Sequence, residues 1–374
     1  MTKGSFLIVT GRAFNAWRAR LPLAKMIQSN GYVVTIAAAG DGNYDGKIER
    51  EGVSFLHVPF FRFGINFISE LTSICTLVSF LLRNNVKVCH AFNPKPILLL
   101  GLIARFFPRI KLFITVTGLG DLGGGSIKTG LIKFAYKVAM RRATVVCVEN
   151  QNDYEFVVGN GMVTADKCVV AIASGVDTTL FPLRHRRERN LPVKFFFASR
   201  LLTSKGLGEF LAASGRLHSK YRDNVEIIIA GEVETAHAAA VSFQAIEVLH
   251  QAGAISYVGA LSSQEVCAML QKVDIAVLPS YREGFSKFLM EGSAAGCALI
   301  STDIPGCREI VLDGKTGLTV LTGSESSLYS AMNFYLENTG AIYEHGRAAQ
   351  LNARQYFDNA ITTRKNFSVY SSVI

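Results

Sequence analysis

The sequence has no pair of cysteines with the C-x-x-C spacing that is typical of a metal site. Its seven cysteines are spread along the chain, and most of them lie in apolar runs that are typical of buried strands. Because their number is odd and the chain is not small, we expect reduced, mostly buried thiols in a cytoplasmic protein. We expect no zinc site and no cofactor.

Long apolar runs are also missing. The two longest, Leu71–Leu82 and Ile97–Phe107, are shorter than the ~20 residues that a helix needs to cross a bilayer. We expect both to be buried helices. The chain enters a predicted strand near Phe6 and shows no secretory signal, so any membrane contact is expected to be peripheral.

Charge is low in amount and uneven in distribution. Charged residues make up 18% of the 374 residues and hydrophobic residues 49%, which predicts two domains with packed cores. Residues 1–183 contain 20 Lys/Arg against 11 Asp/Glu, whereas residues 184–374 contain 19 against 18. A basic half suggests an anionic lipid, a nucleic acid or a phosphorylated acceptor as partner, or simply a solvated face. Because no nucleic-acid module accompanies the charge, we expect no nucleic-acid partner.

Short apolar runs alternate with amphipathic, helix-length runs along the whole chain. The predicted strands begin near Phe6, Val33, Val53, Val86, Leu112, Val145, Phe195, Ile227, Ser256, Ile275, Ala298 and Leu318. Several of these runs are apolar on both faces, as parallel strands covered by helices on both sides should be. The pattern predicts an α/β fold with two Rossmann-like, doubly wound parallel sheets facing a central cleft.

A domain boundary is predicted at Pro182–Pro192. The segment Arg184–Asn190 is polar, charged and flanked by prolines, as linkers often are. We therefore expect one domain over 1–183 and another over 184–355. The C-terminal helix, 356–374, is expected to pack back on the N-terminal domain.

The most informative segment is Leu278–Gly292. An apolar strand ends in Pro279-Ser280, and a helix is predicted to begin at about Phe285. Glu283 would then lie just before the helix and Glu291 two turns into it, so both carboxylates could face one cleft. The helix N-terminus between them would suit a phosphate. The alternative is that the two glutamates only favour a helix start and its exposed face.

A second segment, Ala198–Gly206, carries two cations on a predicted strand-to-helix loop. Arg200 could contact a diphosphate with two parallel hydrogen bonds, and Lys205 could act as a point charge. Exposed cations without a ligand are the alternative. A third segment, Asp303–Glu309, opens another predicted helix, and its Gly306 permits close approach of a ligand to the backbone.

Together these motifs resemble the family 4 retaining glycosyltransferases of the two-Rossmann, GT-B architecture. The resemblance covers essentially the whole chain. The matching residues are Glu283, Gly284, Phe285 and Glu291 of the E-x7-E motif, Arg200 and Lys205, Asp274, Pro279 and Ser280, Asp303, Gly306 and Glu309, and Ser174–Asp177 with Phe181. Ser199 departs from the pattern, because glycine is usual there.

The resemblance implies a role for each residue of the donor site. Glu283, Arg200 and Lys205 would be catalytic: Glu283 would contact hydroxyls of the donor sugar, and the two cations would hold the diphosphate as it leaves. Glu291 would bind the ribose. Donor binding is also implied for Gly284, Phe285, Ser286, Lys287 and Asp303, through backbone N–H groups at Phe285, Ser286 and Lys287. No metal is implied, and the chain has no Asp-x-Asp pair of the kind that metal-dependent sugar transferases use.

Residues 90–96, 115–120 and 149–153 resemble a narrower group, the bacterial enzymes that build O-antigen or capsule on polyprenyl-diphosphate carriers. This likeness implies a UDP-sugar donor, a lipid-linked or glycan acceptor, and a cytoplasmic enzyme peripheral to the inner membrane. His90, Thr117, Gly118 and Asn150 are its acceptor-side candidates. His90 is expected at a strand end, where a structural role is the alternative. Many members of the family have histidine where Thr117 stands.

Two segments of the basic half interleave aromatic residues with cations. Phe60–Phe67 and Arg105–Lys111 fit a membrane interface, although their phenylalanines could equally belong to the core. Two other functions share the predicted architecture, a nucleotide-sugar 2-epimerase and a non-catalytic nucleotide-sugar-binding protein. The epimerase would need neither a lipid surface nor a second sugar.

Overall fold

The structure is a computed structural model that describes residues 3–61, 66–119, 127–183, 192–232 and 243–373, with the main chain alone at 127 and 128. The linker expected at Arg184–Asn190 lies outside the described residues, as do residues 62–65 of the first aromatic segment. The chain divides into two compact units. Unit 1 comprises Met1–Gly175 and Asn359–Ile374, and unit 2 comprises Val176–Asp358.

Unit 1 contains a seven-stranded parallel sheet with the strand order β3-β2-β1-β4-β5-β6-β7. Its strands are β1 (Ser5–Arg12), β2 (Val33–Ala39), β3 (Ser54–His57), β4 (Val86–Phe92), β5 (Lys111–Val116), β6 (Val145–Val148) and β7 (Cys168–Val170). Its helices are α1 (Ala13–Ala19), α2 (Leu21–Ser29), α3 (Tyr44–Arg50), α4 (Phe67–Arg83), α5 (Pro94–Ile103), α6 (Ile127–Met140), α7 (Gln151–Gly159) and α14 (Asn359–Ser371).

Helices cover both faces of this sheet. Successive residues of a strand point to opposite faces, so Leu7 and Val9 of β1 join a core with α4 to α7. Phe6 and Ile8 join the other core, with α1 to α3 and α14. The strands are therefore apolar on both sides.

Unit 2 contains a six-stranded parallel sheet with the order β10-β9-β8-β11-β12-β13. Its strands are β8 (Val193–Ala198), β9 (Val225–Ala230), β10 (Ser256–Tyr257), β11 (Ile275–Leu278), β12 (Ala298–Thr302) and β13 (Gly317–Val320). Its helices are α8 (Leu207–Tyr221), α9 (Phe243–Gln251), α10 (Ser263–Leu270), α11 (Lys287–Ala294), α12 (Glu325–Glu337) and α13 (Thr339–Asn352).

The predicted α/β class with two parallel, helix-covered sheets is confirmed. Each of the twelve predicted strands begins within two residues of an observed one. The missed strand is β7, which has only three residues and therefore leaves a weak apolar signal. The cysteines are all free, and five of the seven are buried, as expected.

The expectation that Leu71–Leu82 is a buried helix is wrong for one face of that segment. Leu77 and Leu81 of α4 are buried, but Leu71 and Leu82 are exposed. The sequence could not reveal this because both faces of the helix are apolar. The second long run is buried on one side of α5, whereas Leu102 of that helix and Phe106, just beyond it, are exposed.

Helix α14 is held in the core of unit 1 by Tyr370. Its ring packs edge-on against Phe6 and Phe113, with centroids 5.3 and 4.8 Å away. Its hydroxyl shares a hydrogen bond with His90 Nδ1, while His90 Nε2 lies 2.7 Å from Thr115 Oγ1. The C-terminal segment thereby packs into a hydrophobic core whose other residues, such as Phe6 and Phe113, lie far earlier in the chain.

We expect Tyr370→Ala to lower the free energy of unfolding of unit 1 by about 3–5 kcal/mol, because it removes a large buried ring. Tyr370→Phe should cost about 1–3 kcal/mol, since it leaves a buried histidine nitrogen without its partner. Urea unfolding followed by the fluorescence of Trp17, the single tryptophan, reports on unit 1. Phe67→Ala, at an exposed aromatic position of the same unit, is the control. Equal midpoints for Tyr370→Ala and this control would contradict the assignment.

Candidate functional site

Three residues, Lys205, Ser280 and Glu283, meet in unit 2 beyond the carboxyl ends of β8 and β11. Lys205 Nζ lies 2.6 Å from Glu283 Oε1, and the Ser280 hydroxyl donates to the same oxygen at 2.7 Å. Lys205 follows β8 and Glu283 follows β11. These two strands are neighbours, and the strand order runs away from them in both directions. Ligands of doubly wound sheets bind at such a switch point, beyond the carboxyl ends of the strands.

Close backbone contact holds the two loops together. The Tyr281 N–H donates to the Ser204 carbonyl at 2.9 Å. Gly206 has φ +70°, and a Cβ there would lie 2.0 Å from the Pro279 carbonyl oxygen. Only glycine fits this position, both because of the left-handed backbone and because of the contact. The short segment between β8 and α8 therefore positions Lys205 against the loop after β11.

Helix α11 begins two residues later than the sequence suggested, at Lys287 instead of about Phe285. Ser286 is the N-cap, and its hydroxyl accepts a hydrogen bond from Leu289 N–H at 3.3 Å. Because the cap is at Ser286, Glu291 is the fifth helical residue, one turn into the helix, and its side chain is buried. The sequence prediction did not identify Ser286 as the N-cap of α11.

A third loop closes over the start of α11. The Ser286 N–H donates to the Gly306 carbonyl at 3.1 Å, and Gly306 N–H donates to Glu309 Oε2 at 2.7 Å. Gly306 has φ +82°, and a Cβ there would lie 2.3 Å from the Gly284 carbonyl oxygen. The Ser286 N–H, which the resemblance implied as a donor to phosphate, is thus engaged by this loop.

The remaining donor-side candidates are less enclosed. Arg200 is exposed, and its carbonyl accepts from Leu202 N–H and from the Ser199 hydroxyl, each at 2.8 Å. The Asp303 carboxylate forms an ion pair with Arg308 at 3.0 Å. Gly284, Phe285 and Lys287 are partly buried. Arg200 therefore lies on the loop that carries Lys205, but its guanidinium is on the surface.

The sequence did not single out Ser280 and Tyr281 as site residues. Besides the contact of Ser280 with Glu283, the Tyr281 hydroxyl donates to Glu209 Oε1 at 2.5 Å, and this bond raises the pKa of Tyr281. A serine at the end of a strand, three residues before a glutamate, was the available signal. Cys307 lies buried nearby, and burial, with a smaller contribution from the charge of Glu283, raises the pKa of its thiol. That thiol is therefore not a nucleophile at neutral pH.

The arrangement suits an anionic ligand with hydroxyl groups. An ammonium group has three N–H donors, so Lys205 can hold Glu283 and also contact an anion. Glu283, held by Lys205 and Ser280, presents a carboxylate that accepts hydrogen bonds. The N-terminus of α11 adds the positive end of its dipole.

The four acceptor-side candidates are in unit 1, where His90 and Asn150 are buried and Thr117 and Gly118 are partly buried. His90 lies inside β4, two residues before its end, and was therefore misplaced at a strand end by the sequence. Burial, with a smaller effect of Arg20, lowers the pKa of His90 well below its usual value, so the ring is neutral. Both ring nitrogens are hydrogen-bonded, which favours the structural alternative. Asn150 is the N-cap of α7 and accepts from Asp153 N–H at 2.8 Å.

Thr117 and Gly118 follow β5, and Gly118 has φ +94°. The sequence did not single out Asn93, which follows β4 with φ 72° and accepts hydrogen bonds from the Thr10 hydroxyl at 2.7 Å and Gly11 N–H at 3.2 Å. Strands β1 and β4 form the switch point of this sheet. A residue other than glycine with positive φ at that point is a candidate ligand contact.

A buried pair of charged groups lies near the end of unit 1. Arg20 donates to the Ala173 carbonyl at 2.6 Å, and Glu149 Oε1 accepts from Ala173 N–H at 3.2 Å. Burial raises the pKa of Glu149 to about 7 despite the opposing charge of Arg20, and burial lowers the pKa of Arg20 to about 10. The two side chains hold the main chain just before Gly175, where unit 1 gives way to unit 2.

Within the described residues, no cluster of three or more His, Cys, Asp or Glu side chains could hold a metal ion. None of the described helices is both long enough and apolar enough to span a bilayer.

We expect Gly306→Ala to destabilise unit 2 far more than Gly314→Ala. Both glycines have positive φ, so alanine costs about 1–2 kcal/mol at either position. Only Gly306 has backbone atoms in the way, whereas a Cβ at Gly314 meets no atom within 4 Å. The clash should add about 1–3 kcal/mol by displacing the loop of Glu283. Thermal unfolding of the two variants measures the difference, and equal melting temperatures would mean that the contact is not tight.

Comparison with known proteins agrees with this geometry. Residues 184–356 match the family described as glycosyl transferases group 1, and residues 16–172 match the glycosyl transferase 4-like domain. A curated relative from Campylobacter jejuni is N,N'-diacetylbacillosaminyl-diphospho-undecaprenol alpha-1,3-N-acetylgalactosaminyltransferase. It is 26% identical over 376 residues, which are 95% of this chain and 95% of the relative.

Two solved structures share the fold over nearly the whole chain. Sucrose-phosphate synthase from Thermosynechococcus elongatus has a TM-score of 0.80 at 14% identity, covering 99% of each chain. HepE of Anabaena, in complex with UDP and glucose, has a TM-score of 0.80 at 17% identity, covering 99% of this chain and 100% of that one. The protein belongs to the glycosyltransferases of GT-B fold that combine a glycosyl transferase 4-like domain with a glycosyl transferases group 1 domain.

Proposed function

We propose that this glycosyltransferase moves a hexose or N-acetylhexosamine, with retention, from a nucleotide diphosphate sugar to a lipid-linked or glycan acceptor. The acceptor would be an intermediate of a bacterial surface polysaccharide such as O-antigen or capsule. The domain over 184–355 would bind the donor, and the domain over 1–183, with the C-terminal segment 356–374, would bind the acceptor.

The observation that carries the proposal is the contact of Lys205 and Ser280 with Glu283 at the switch point of the unit 2 sheet. A surface lysine without a function would extend into solvent, because ordering a long side chain costs conformational entropy. Here the ammonium is instead held, partly buried, between two strand ends. This position suits the diphosphate of a donor whose sugar reaches the carboxylate.

Breaking the bond between sugar and diphosphate builds negative charge on the leaving oxygens and positive charge on the sugar ring. Lys205 would stabilise that negative charge, and Arg200, on the same loop, would turn inward to add a second contact. Lys205, which Glu283 already holds in place, can stabilise such charge without reorganisation. The positive end of α11 contributes in the same direction.

The carboxylates would orient the donor. Glu283 is held from two sides, so its second oxygen can accept hydrogen bonds from sugar hydroxyls. Glu291 would accept from the ribose, and Asp303 would lie at the edge of the donor pocket. Because Ser286 N–H is already bonded to Gly306, we assign the backbone contacts to Lys287 and Phe285 first. Gly284 leaves room for the ligand.

The identities of donor nucleotide and acceptor rest on the relatives. HepE was solved with UDP and glucose, and the name of the Campylobacter jejuni relative specifies an undecaprenol-diphosphate-linked acceptor. These names favour a UDP-sugar donor and a transferase over a 2-epimerase. A lipid-linked acceptor would place the enzyme at the cytoplasmic face of the inner membrane. The buried His90 and Asn150 would support the acceptor site from the interior of unit 1, and Thr117 and Gly118 would line it.

The deciding experiment incubates the enzyme with a panel of radiolabelled UDP- and GDP-sugars, with and without polyprenyl-diphosphate-linked acceptors. Label that moves into the lipid with retained anomeric configuration is the expected result. Label that appears in the epimeric nucleotide sugar would indicate the epimerase. Tight binding without turnover would indicate a non-catalytic binding protein.

We expect Arg200→Ala and Lys205→Ala to lower kcat by about 10²–10³ with a smaller rise in KM, because each cation gains interaction energy as the leaving group becomes charged. Arg200→Lys should rescue poorly, since an ammonium cannot make the two parallel bonds of a guanidinium. Steady-state kinetics with the preferred donor measures this. As a matched control, Lys220→Ala removes a cation on α8, far along the helix from this loop. Near-normal kcat in both site variants would refute the role.

We also expect transfer to survive EDTA, because two cations and a helix N-terminus would take the place of a divalent ion at the diphosphate. Activity should change by less than about twofold, well below the ~10²-fold effects expected of a catalytic group. Assays after extensive dialysis, with Mn²⁺ or Mg²⁺ added back, provide the measurement. Complete loss with EDTA that Mn²⁺ restores would show that the enzyme depends on a metal.

A further inference from the structure

Helix α4 carries apolar residues on two opposite faces. Leu77 and Leu81 are buried in the core of unit 1. On the outer face, Phe67, Ile68 and Leu71 are 85%, 80% and 63% exposed. Large apolar side chains that are grouped on an exposed surface often mark a site that binds a protein or a membrane. The outer face of α4 is therefore a candidate binding surface.

Helix α6 repeats the pattern. Tyr136 and Met140 face the core, while Leu131 and Phe134 are each 66% exposed. The two helices and α5 pack on the same core and hence on the same face of the sheet. Phe106, after α5, is 83% exposed on this layer as well. Large exposed apolar side chains thus recur on neighbouring helices of one layer.

The segments that carry α4, α5 and α6 are strongly positive, whereas α7 on the same core adds Asp153 and Glu155. Residues 66–119 and 127–142 contain eleven Lys and Arg, and their single acidic residue, Glu70, is paired with Lys95 at 2.6 Å. Not every cation faces outward, since Arg142 donates to the carbonyls of Ala104, Phe107, Pro108 and Ile110. The excess nevertheless attracts an anionic surface and opposes the pairing of two copies through this layer.

We propose that the outer face of α4 and α6 is the membrane-binding surface, and that it inserts its apolar side chains into an anionic phospholipid bilayer. Apolar side chains enter the boundary of the acyl region, while cations next to them attract the headgroups. A nucleic acid would be attracted by the charge, but it would leave Phe67, Ile68 and Phe134 in water. A bilayer accounts for both features.

Five exposed apolar residues of α4 and α6 lie toward the carboxyl edge of the sheet, whereas Leu82, at the end of α4, and Phe106, after α5, lie toward the opposite edge. Phe67, Ile68 and Leu71 lie in the first two turns of α4, and Leu131 and Phe134 in the first eight residues of α6. Each helix runs back from the carboxyl edge of the parallel sheet to the start of the next strand, so these turns lie near the edge where ligands bind. This inference rests on the proposed function, because a lipid-linked acceptor would reach that edge directly from the bilayer.

The test compares two triple variants of the full chain. Phe67→Ser, Leu71→Ser and Phe134→Ser together remove the apolar surface of unit 1. Val248→Ser, Leu321→Ser and Leu351→Ser remove three side chains of unit 2 that are also more than half exposed. Co-sedimentation is measured with vesicles of phosphatidylglycerol and phosphatidylethanolamine, at low and high salt, and with phosphatidylcholine vesicles. Thermal unfolding verifies that both variants are folded.

The expected result is at least a tenfold loss of vesicle binding in the unit 1 variant and none in the unit 2 variant. Binding of the wild-type chain should weaken at high salt and on phosphatidylcholine, because charges at a surface are screened beyond ~8 Å at physiological ionic strength. Equal binding of wild type and unit 1 variant would overturn the proposal. The proposal would also be overturned if the wild-type chain formed a dimer in sedimentation velocity, the unit 1 variant did not, and both bound vesicles equally.

A second readout separates this surface from the proposed function. With a short-chain acceptor that is soluble in water, the unit 1 variant should transfer sugar as fast as wild type, but with a long-chain acceptor in vesicles it should be at least tenfold slower. If wild type binds vesicles through this face but transfers no sugar, the surface stands and the proposed function fails. If transfer from vesicles is unaffected by the variant, the surface inference fails and the proposed function stands.

Discussion

The ion pair between Lys205 and Glu283 depends on a single constraint, the order of parallel strands in the unit 2 sheet. Because β8 and β11 are neighbours from which the order runs outward on both sides, the loops after them meet instead of being separated by a helix. A lysine and a glutamate that are 78 residues apart then come within 2.6 Å. Every further contact of the site, from Ser280 to the start of α11, is arranged around that meeting of two loops.

Two glycines make the meeting of loops sterically possible. Gly206 and Gly306 both have positive φ, and each presses its backbone against a neighbouring carbonyl, of Pro279 and of Gly284. A side chain at either position would separate the loops that carry Lys205, Glu283 and Asp303. The candidate site of unit 2 is therefore formed by close-packed main chain, with a small number of charged side chains projecting from it.

Unit 1 follows a different physical logic. The polar side chains of His90, Thr115 and Tyr370 are buried in its core and hydrogen-bonded to one another, and His90 is neutral. Such a buried, hydrogen-bonded interior suits a scaffold, whereas the exposed apolar residues of unit 1 lie among cations on its outer helices. This difference between the two units would fit the proposed water-soluble donor and membrane-bound acceptor.

Most of the fold followed from the sequence alone, because strands that are buried on both faces leave apolar runs that local patterns reveal, and the motif spacing named the family. Strand β7 was missed because three residues carry too little pattern. Tertiary structure alone decided that Ser280 and Lys205 share Glu283, that Gly306 takes up the Ser286 N–H, and that α4 leaves one apolar face uncovered. Each of these contacts depends on which segment, distant in the sequence, packs against the residue in the folded chain. The local pattern of apolar and charged residues is the same whether or not that segment packs there.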